Sequence, residues 1–222
     1  MPITLFFSAA TATVTSMSRP TLTYFDAPMS RGEECRLALH IGGVDFEDKR
    51  LKRDEWMALK PTTPFGSLPL FEEPGRPVLG QSNAILVLIG RRHGLHPKDD
   101  FEAARHEAIM SYVEELRALI SPTMRMEEAE KKRAREHLAS TDLPKWATNV
   151  EKHIGDGPFF GGAAVNVVDL KLYMMVRWLR GGALDHIPAT VFAGYPKLNR
   201  IHDSVAAHER VLDWNARTAT AR

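Results

Sequence analysis

The sequence predicts an α/β module followed by an all-α module, and three observations predict it. Residues 21–93 alternate short β-branched or aromatic runs with helical stretches, in the order strand, helix, strand, two strands about a turn, helix. Residues 101–222 carry helical periodicity without a convincing strand. Between them lies a short polar linker, GLHPKDD, at residues 94–100.

Each element has a local reason. Residues 21–25, TLTYF, have the β-branched and aromatic character of a strand. Pro28 marks the loop that follows. Ser30 is placed to cap a helix over residues 31–41, with Glu33 and Glu34 complementing the helix dipole in its first turn. Gly42-Gly43 ends that helix, and residues 45–51, DFEDKRL, fit a second strand. A βαβ unit implies that these two strands run parallel. A short helix is expected over residues 53–60. The segment Pro61 to Gly66 leads into two runs, 68–72 and 76–79, folded about Pro74-Gly75 as a β-hairpin. Residues 81–93 are apolar nearly all round, which predicts a buried helix.

In the second module, residues 101–120 form a long amphipathic pattern with Ile109, Val113, Leu116 and Ile120 on one stripe. Pro122 interrupts it. Further helices are expected over residues 124–139, 143–154, 167–179 and 196–205. The domain division is therefore 21–94 and 101–222, preceded by a tail, 1–20.

Composition narrows the functions available. Of 222 residues, 44% are hydrophobic and 26% charged, with 29 Lys plus Arg against 28 Asp plus Glu. No net field favours nucleic acid or an acidic membrane, and Lys131-Lys132-Arg133, flanked by acids, reads as a solvated helix face. Cys35 is the single cysteine. One cysteine forms no internal disulfide and excludes a multi-cysteine zinc or iron–sulfur site. The nine histidines lack metal-ligand spacing, so no metal is expected. No stretch has the length of a membrane-spanning helix. The tail MPITLFFSAATATVTSMSRP has a short apolar patch, Leu5-Phe6-Phe7, and no basic start. A disordered Ser/Thr/Ala tail is expected, with a signal peptide as the alternative and Met17 as an alternative initiator. The expected location is cytoplasmic.

Five local patterns converge: the LTYF strand; Glu55-Trp56 followed by Lys60; PFGSLPLFEE at the hairpin entry; Gln81-Ser82 opening the buried helix; and Asn166 followed by Asp169. Together with the module order they resemble the cytosolic glutathione transferases. In that family a thioredoxin-like βαβββα domain binds glutathione and an all-helical domain lines the second-substrate site. The resemblance covers residues 21–215 and is most like the sigma class, which includes haematopoietic prostaglandin D synthases. It implies glutathione as co-substrate, a small hydrophobic electrophile as second substrate, and a homodimer.

The chemistry needs a thiolate, and a free thiol has a pKa near 8.5, so a donor aimed at the sulfur must favour the ionised form. Tyr24 at the strand end offers such a donor, protonated at neutral pH; the resemblance gives it this role. Arg31 resembles the arginine set against that hydroxyl, although the spacing from Tyr24 is one residue longer than usual. Ser30 and Cys35 are rival sulfur partners. The resemblance places Trp56 and Lys60, four apart on one helix face, on the glycyl carboxylate. It makes Leu68-Pro69 a cis link whose Leu68 backbone pairs with the cysteinyl part. Gln81 and Ser82 are set at the γ-glutamyl carboxylate. Glu115, or its neighbour Glu114, is matched to the γ-glutamyl amine across a dimer. Asn166 and Asp169 form a capping box with a structural role. Phe25, Met110, Met124, Met174 and Met175 are candidates for the second-substrate pocket. Lys171 stands where prostaglandin D synthases carry a tyrosine, which argues against a prostaglandin isomerase. A conjugating enzyme is thus expected. The alternatives are a glutathione-dependent isomerase or peroxidase, and a non-catalytic glutathione-binding protein.

Overall fold

The computed structural model describes residues 19–220. The expectations for residues 1–18, including the tail, the signal peptide and the alternative initiator, lie outside the described residues. The first module runs β1 (Thr21–Phe25), α1 (Ser30–Ile41), β2 (Glu47–Leu51), α2 (Arg53–Leu59), β3 (Leu70–Glu72), β4 (Leu79–Gly80) and α3 (Ser82–His93). Its four strands form one sheet in the order β2-β1-β3-β4. The βαβ unit makes β1 and β2 parallel, with Tyr24 opposite Arg50, while β3 pairs antiparallel with β1 and β4 antiparallel with β3. The thioredoxin-like reading holds, with shorter strands than the apolar runs suggested.

The second module contains α4 (Asp100–Ile120), α5 (Glu128–His137), α6 (Leu143–Glu151), α7 (Val167–Arg180), α8 (Pro196–Ala206) and α9 (Glu209–Thr220). Asp99 caps α4, its side chain accepting from the Glu102 N–H at 2.9 Å. Pro122 sits in a 3₁₀ turn over Ser121–Arg125, so α5 starts later than expected, and a π turn over Leu138–Asp142 carries it toward α6. The final helix, α9, was not foreseen. It earns its place through Val211 and Trp214, buried against α1.

α7 is the central element, packed against α8, α1 and α4. Val167, Val168, Leu170, Leu172, Met175 and Val176 are all 0% exposed, and so are the Asp169 and Lys171 that lie among them. The N-terminus of α7 is tied down by Asp169, whose carboxylate accepts from the Asn166 N–H at 2.8 Å and the Phe160 N–H at 2.7 Å. α1 and α3 of the first module pack on each other and on α7, so the two modules share one core.

Candidate active site

Tyr24 ends the buried run of β1 with its side chain held on three sides. Gly32, in the first turn of α1, lies flush against the ring. Phe25 stands edge-on at 5.5 Å between centroids, and the Arg36 guanidinium lies 5.8 Å from the ring centroid. Phe25 in turn meets Trp56 of α2 at 6.1 Å, so the three aromatics form a ladder from β1 to α2. The Ser30 side chain lies close enough to the Tyr24 hydroxyl to favour its ionised form. Burial pushes the phenol pKa above its ordinary value; the Ser30 side chain and the nearby Arg31 and Arg117 cations oppose that without reversing it. The phenol therefore keeps its proton at neutral pH.

Ser30 does not cap α1, contrary to the sequence expectation. It is the first helical residue, Met29 occupies the cap position, and no side chain closes the cap. Ser30 has φ of +62°, a left-handed conformation unusual for a residue with a Cβ. The longer loop between β1 and α1 thus ends in a turn that sets the Ser30 side chain near Tyr24 rather than at the helix N–H groups.

Beside Tyr24 lies an ionic cluster that joins α1, α4, α7 and α3. Glu114 of α4 accepts from Arg31 Nε at 2.8 Å and Nη2 at 2.7 Å, and from Arg117 Nη1 at 2.8 Å. Lys171 of α7 places its Nζ 2.6 Å from Glu114, 3.2 Å from Glu34 and 3.4 Å from Ser82 Oγ. Arg117 also pairs with Glu34. These cations hold the Glu114 carboxyl down at about 2 despite the opposing effect of burial. Of the two adjacent glutamates, Glu114 belongs to this cluster and Glu115 is exposed on another face of α4.

The other expected contacts are distributed as follows. Trp56 is half-buried and Lys60 exposed, with the Lys60 N–H bonded to the Trp56 carbonyl at the end of α2. The Leu68-Pro69 peptide is cis. Gln81 is exposed with φ of +69°, at the N-terminus of α3, and Ser82 is buried. Met110, Met174 and Met175 are buried on α4 and α7 at 0%, 2% and 0% exposure, and Met110 also lines a groove between α3 and α4. Met124 is 55% exposed and its sulfur accepts from Arg135 Nη2 at 3.1 Å. Phe25 is half-buried beside Tyr24. Cys35 is fully buried, and its burial raises the thiol pKa, aided by Glu34. Among the described residues no group of three or more His, Cys, Asp or Glu is placed to hold a metal, and no helix is long and apolar enough to cross a membrane.

Sequence reading missed Gly32, Glu34 and Arg117. Glu34 reads from the sequence as a first-turn acid that complements the helix dipole, whereas the structure buries it completely. Arg117 had a signal: it sits four residues after Val113 and three before Ile120, on the buried stripe of α4. A charge at a core position of an amphipathic helix marks a buried pair.

Residues 20–91 match the family "Glutathione S-transferase, N-terminal domain", and residues 114–218 match "Glutathione S-transferase, C-terminal domain". Glutathione S-transferase 1 of Ascaris suum is 39% identical over 155 residues, spanning 67% of this chain and 74% of that protein. Hematopoietic prostaglandin D synthase of Gallus gallus is 28% identical over 194 residues, 87% of this chain and 93% of that one. The crystal structure of the glutathione S-transferase from Ascaris lumbricoides superposes with a TM-score of 0.78 at 34% identity, covering 90% of this chain and 97% of the other. With both domains matched in their expected order on a shared fold, this chain belongs to the glutathione transferase family.

Proposed function

We propose that the protein conjugates glutathione to small electrophiles through a thiolate held by the Tyr24 hydroxyl. One observation carries this reading: the Tyr24 phenol is fixed at the end of β1, kept protonated by burial, and set beside Arg31 and Arg117. A donor of this kind stabilises a negative sulfur without giving up its own proton. Each unit by which the thiol pKa falls requires about 1.4 kcal/mol of preferential stabilisation, within reach of one placed donor and a nearby cation. With a chlorinated nitrobenzene as electrophile, the thiol proton leaves to water. The sulfur forms a bond to the ring carbon, and chloride departs with the electron pair of the broken bond.

Trp56 and Lys60 are the proposed partners of the glycyl carboxylate. The Leu68 backbone, next to Pro69, would pair with the cysteinyl part. Gln81, Ser82 and the free N–H groups opening α3 would receive the γ-glutamyl carboxylate, with Glu114 or Glu115 for the amine. The aromatic ladder from Phe25 to Trp56 offers apolar surface beside the sulfur for the electrophile. A sigma-like homodimer is supported by an apolar groove of about 470 Å³ between α3 and α4, lined by Leu79, Ala84, Val87 and Leu88, and by Phe65, 62% exposed. A role in detoxification in the cytoplasm accords with this chemistry.

The test is turnover of a chloronitrobenzene by purified protein and by Tyr24→Phe. Loss of one placed donor should cut turnover by roughly ten- to a thousand-fold and raise the pH at which bound glutathione ionises. Wild-type protein that binds glutathione without turnover would establish a non-catalytic binding protein instead. Undiminished turnover by Tyr24→Phe would transfer the sulfur to Ser30.

A further inference from the structure

The cluster beside Tyr24 contains three cations, Arg31, Arg117 and Lys171, and two carboxylates, Glu34 and Glu114. Its exposure is graded. The side chains of Lys171 and Glu34 are 0% exposed, Arg117 3%, Glu114 27% and Arg31 35%. It therefore runs from the sealed centre of the molecule to the accessible edge where Arg31 stands near the phenol.

Stability gives little reason for this arrangement. A buried ion pair is often no more stabilising than apolar side chains of similar volume, because desolvation of the charges offsets their attraction. Lys171 lies on a helix whose neighbouring positions are all apolar, where a leucine or methionine would fit the surroundings. The charges that face Lys171 are Glu34 from α1 and Glu114 and Arg117 from α4, with the neutral Cys35 thiol and the Ser82 hydroxyl close by. Arg36 and Glu33, the other buried charges of α1, pair with each other and with Asp48 and Trp214, Arg36 also lying 5.8 Å from the Tyr24 ring centroid. With Lys171 the cluster holds three cations against two carboxylates, and Glu114, the residue that fixes Arg31, gains a second hold beside Arg117.

We propose that Lys171 is a positioning residue for thiolate formation: through Glu114 it holds Arg31 near the Tyr24 hydroxyl, and it leaves the cluster with a net positive charge where the sulfur ionises. The inference rests on the reading of Tyr24 as the sulfur's partner. Removing Lys171 takes the formal balance from one positive charge to none. Removing Lys171 and Glu34 together restores one positive charge while deleting a buried pair.

The experiment follows the ultraviolet absorbance of the bound thiolate against pH, with glutathione affinity and thermal stability measured alongside. Lys171→Met should raise the ionisation midpoint by on the order of one unit. Glu34→Gln should lower it. The double variant Glu34→Leu with Lys171→Met should fall between Lys171→Met and wild type, because it restores the formal charge but not the hold on Glu114. A purely structural Lys171 would change thermal stability and leave the midpoint of Lys171→Met unmoved; that result overturns the proposal. If Lys171→Met does not fold, the comparison of Glu34→Gln with the double variant decides it, since equal midpoints in those two would also overturn it. Wild-type protein without bound thiolate would take down the Tyr24 reading itself, a failure visible before any variant is made.

Discussion

Gly32 touches Tyr24 so closely that no side chain fits between them: a Cβ at position 32 would fall 2.1 Å from Cγ and Cδ1 of the ring. The helix that starts at Ser30 thus lies directly on the aromatic face, and this contact sets where the phenol points. Gly32→Ala is expected to push the ring aside. Overpacking of this sort costs about 1–3 kcal/mol, so the melting temperature should fall by several degrees. The displaced hydroxyl should lower kcat/KM for conjugation at least ten-fold. Normal kcat/KM in a folded variant would show that the ring position is not needed.

Ser30 supplies a complementary test. Its φ of +62° suits glycine better than serine. Ser30→Gly should therefore be as stable as the wild type or gain about 1 kcal/mol in urea unfolding, while losing the hydroxyl that meets Tyr24. With Tyr24 as the sulfur's donor, turnover should stay within a few-fold. A loss as large as that of Tyr24→Phe would make Ser30 the donor.

Asp169 governs part of the pH dependence of stability. Burial raises its carboxyl from an ordinary value of 3.8 to about 7, against the pull of the Phe160 and Asn166 N–H groups. The folded chain keeps this proton where the unfolded chain releases it. Its contribution is thus present at low pH and lost as pH rises from 3.8 to about 7. Asp169→Asn cannot accept both backbone hydrogen bonds and should be destabilised by about 1–3 kcal/mol. The penalty should be larger at about pH 5 than at about pH 7.5. Equal penalties at the two values would refute this assignment.

His106 opposes Asp169 over much of the same range. Burial, aided by His96, lowers its pKa from 6.5 to about 4. Here the unfolded chain binds the extra proton, so stability falls as pH drops from 6.5 toward about 4. The two groups flank Phe160: His106 meets its ring edge-on at 4.9 Å, and Asp169 accepts its N–H. His106→Leu should remove the acid-side loss, so that its unfolding free energy in urea relative to wild type rises on acidification, by at most about 1.4 kcal/mol per pH unit. A parallel course for the two proteins would remove His106 from the account.

Trp214 fastens α9 to the first module. Its indole N–H donates to Glu33 Oε1 at 2.7 Å, and Glu33, 1% exposed, also pairs with Arg36. Trp214→Phe leaves a buried carboxylate oxygen without its donor. A cost of about 2–3 kcal/mol in denaturant unfolding is expected, with earlier proteolysis at α9. Unchanged unfolding would mean that water replaces the indole.

The sequence made the modules legible because each rests on local signals. TLTYF, Gly42-Gly43 and the Gln81–His93 run each specify a strand, a stop or a buried helix by short-range chemistry. Tyr24 and Arg31 were singled out by the family resemblance, with one residue more between them than its usual pattern. What escaped was non-local. α9 is amphipathic but short, and it is defined by docking Trp214 on Glu33, 181 positions away. Glu34 and Lys171 are 137 positions apart, so neither residue announces the other. Of the methionines read as pocket candidates, Met110, Met174 and Met175 are buried while Met124 is exposed, a difference sequence alone does not give because apolar flexibility looks alike in both settings.

The sole cysteine of this protein is shut inside α1 with its thiol protonated and no exposed surface. Reagents that alkylate sulfur find no accessible protein thiol in it, so a catalyst that handles such reagents offers them only the tripeptide's sulfur. Labelling by maleimide should therefore remain blocked until the chain unfolds.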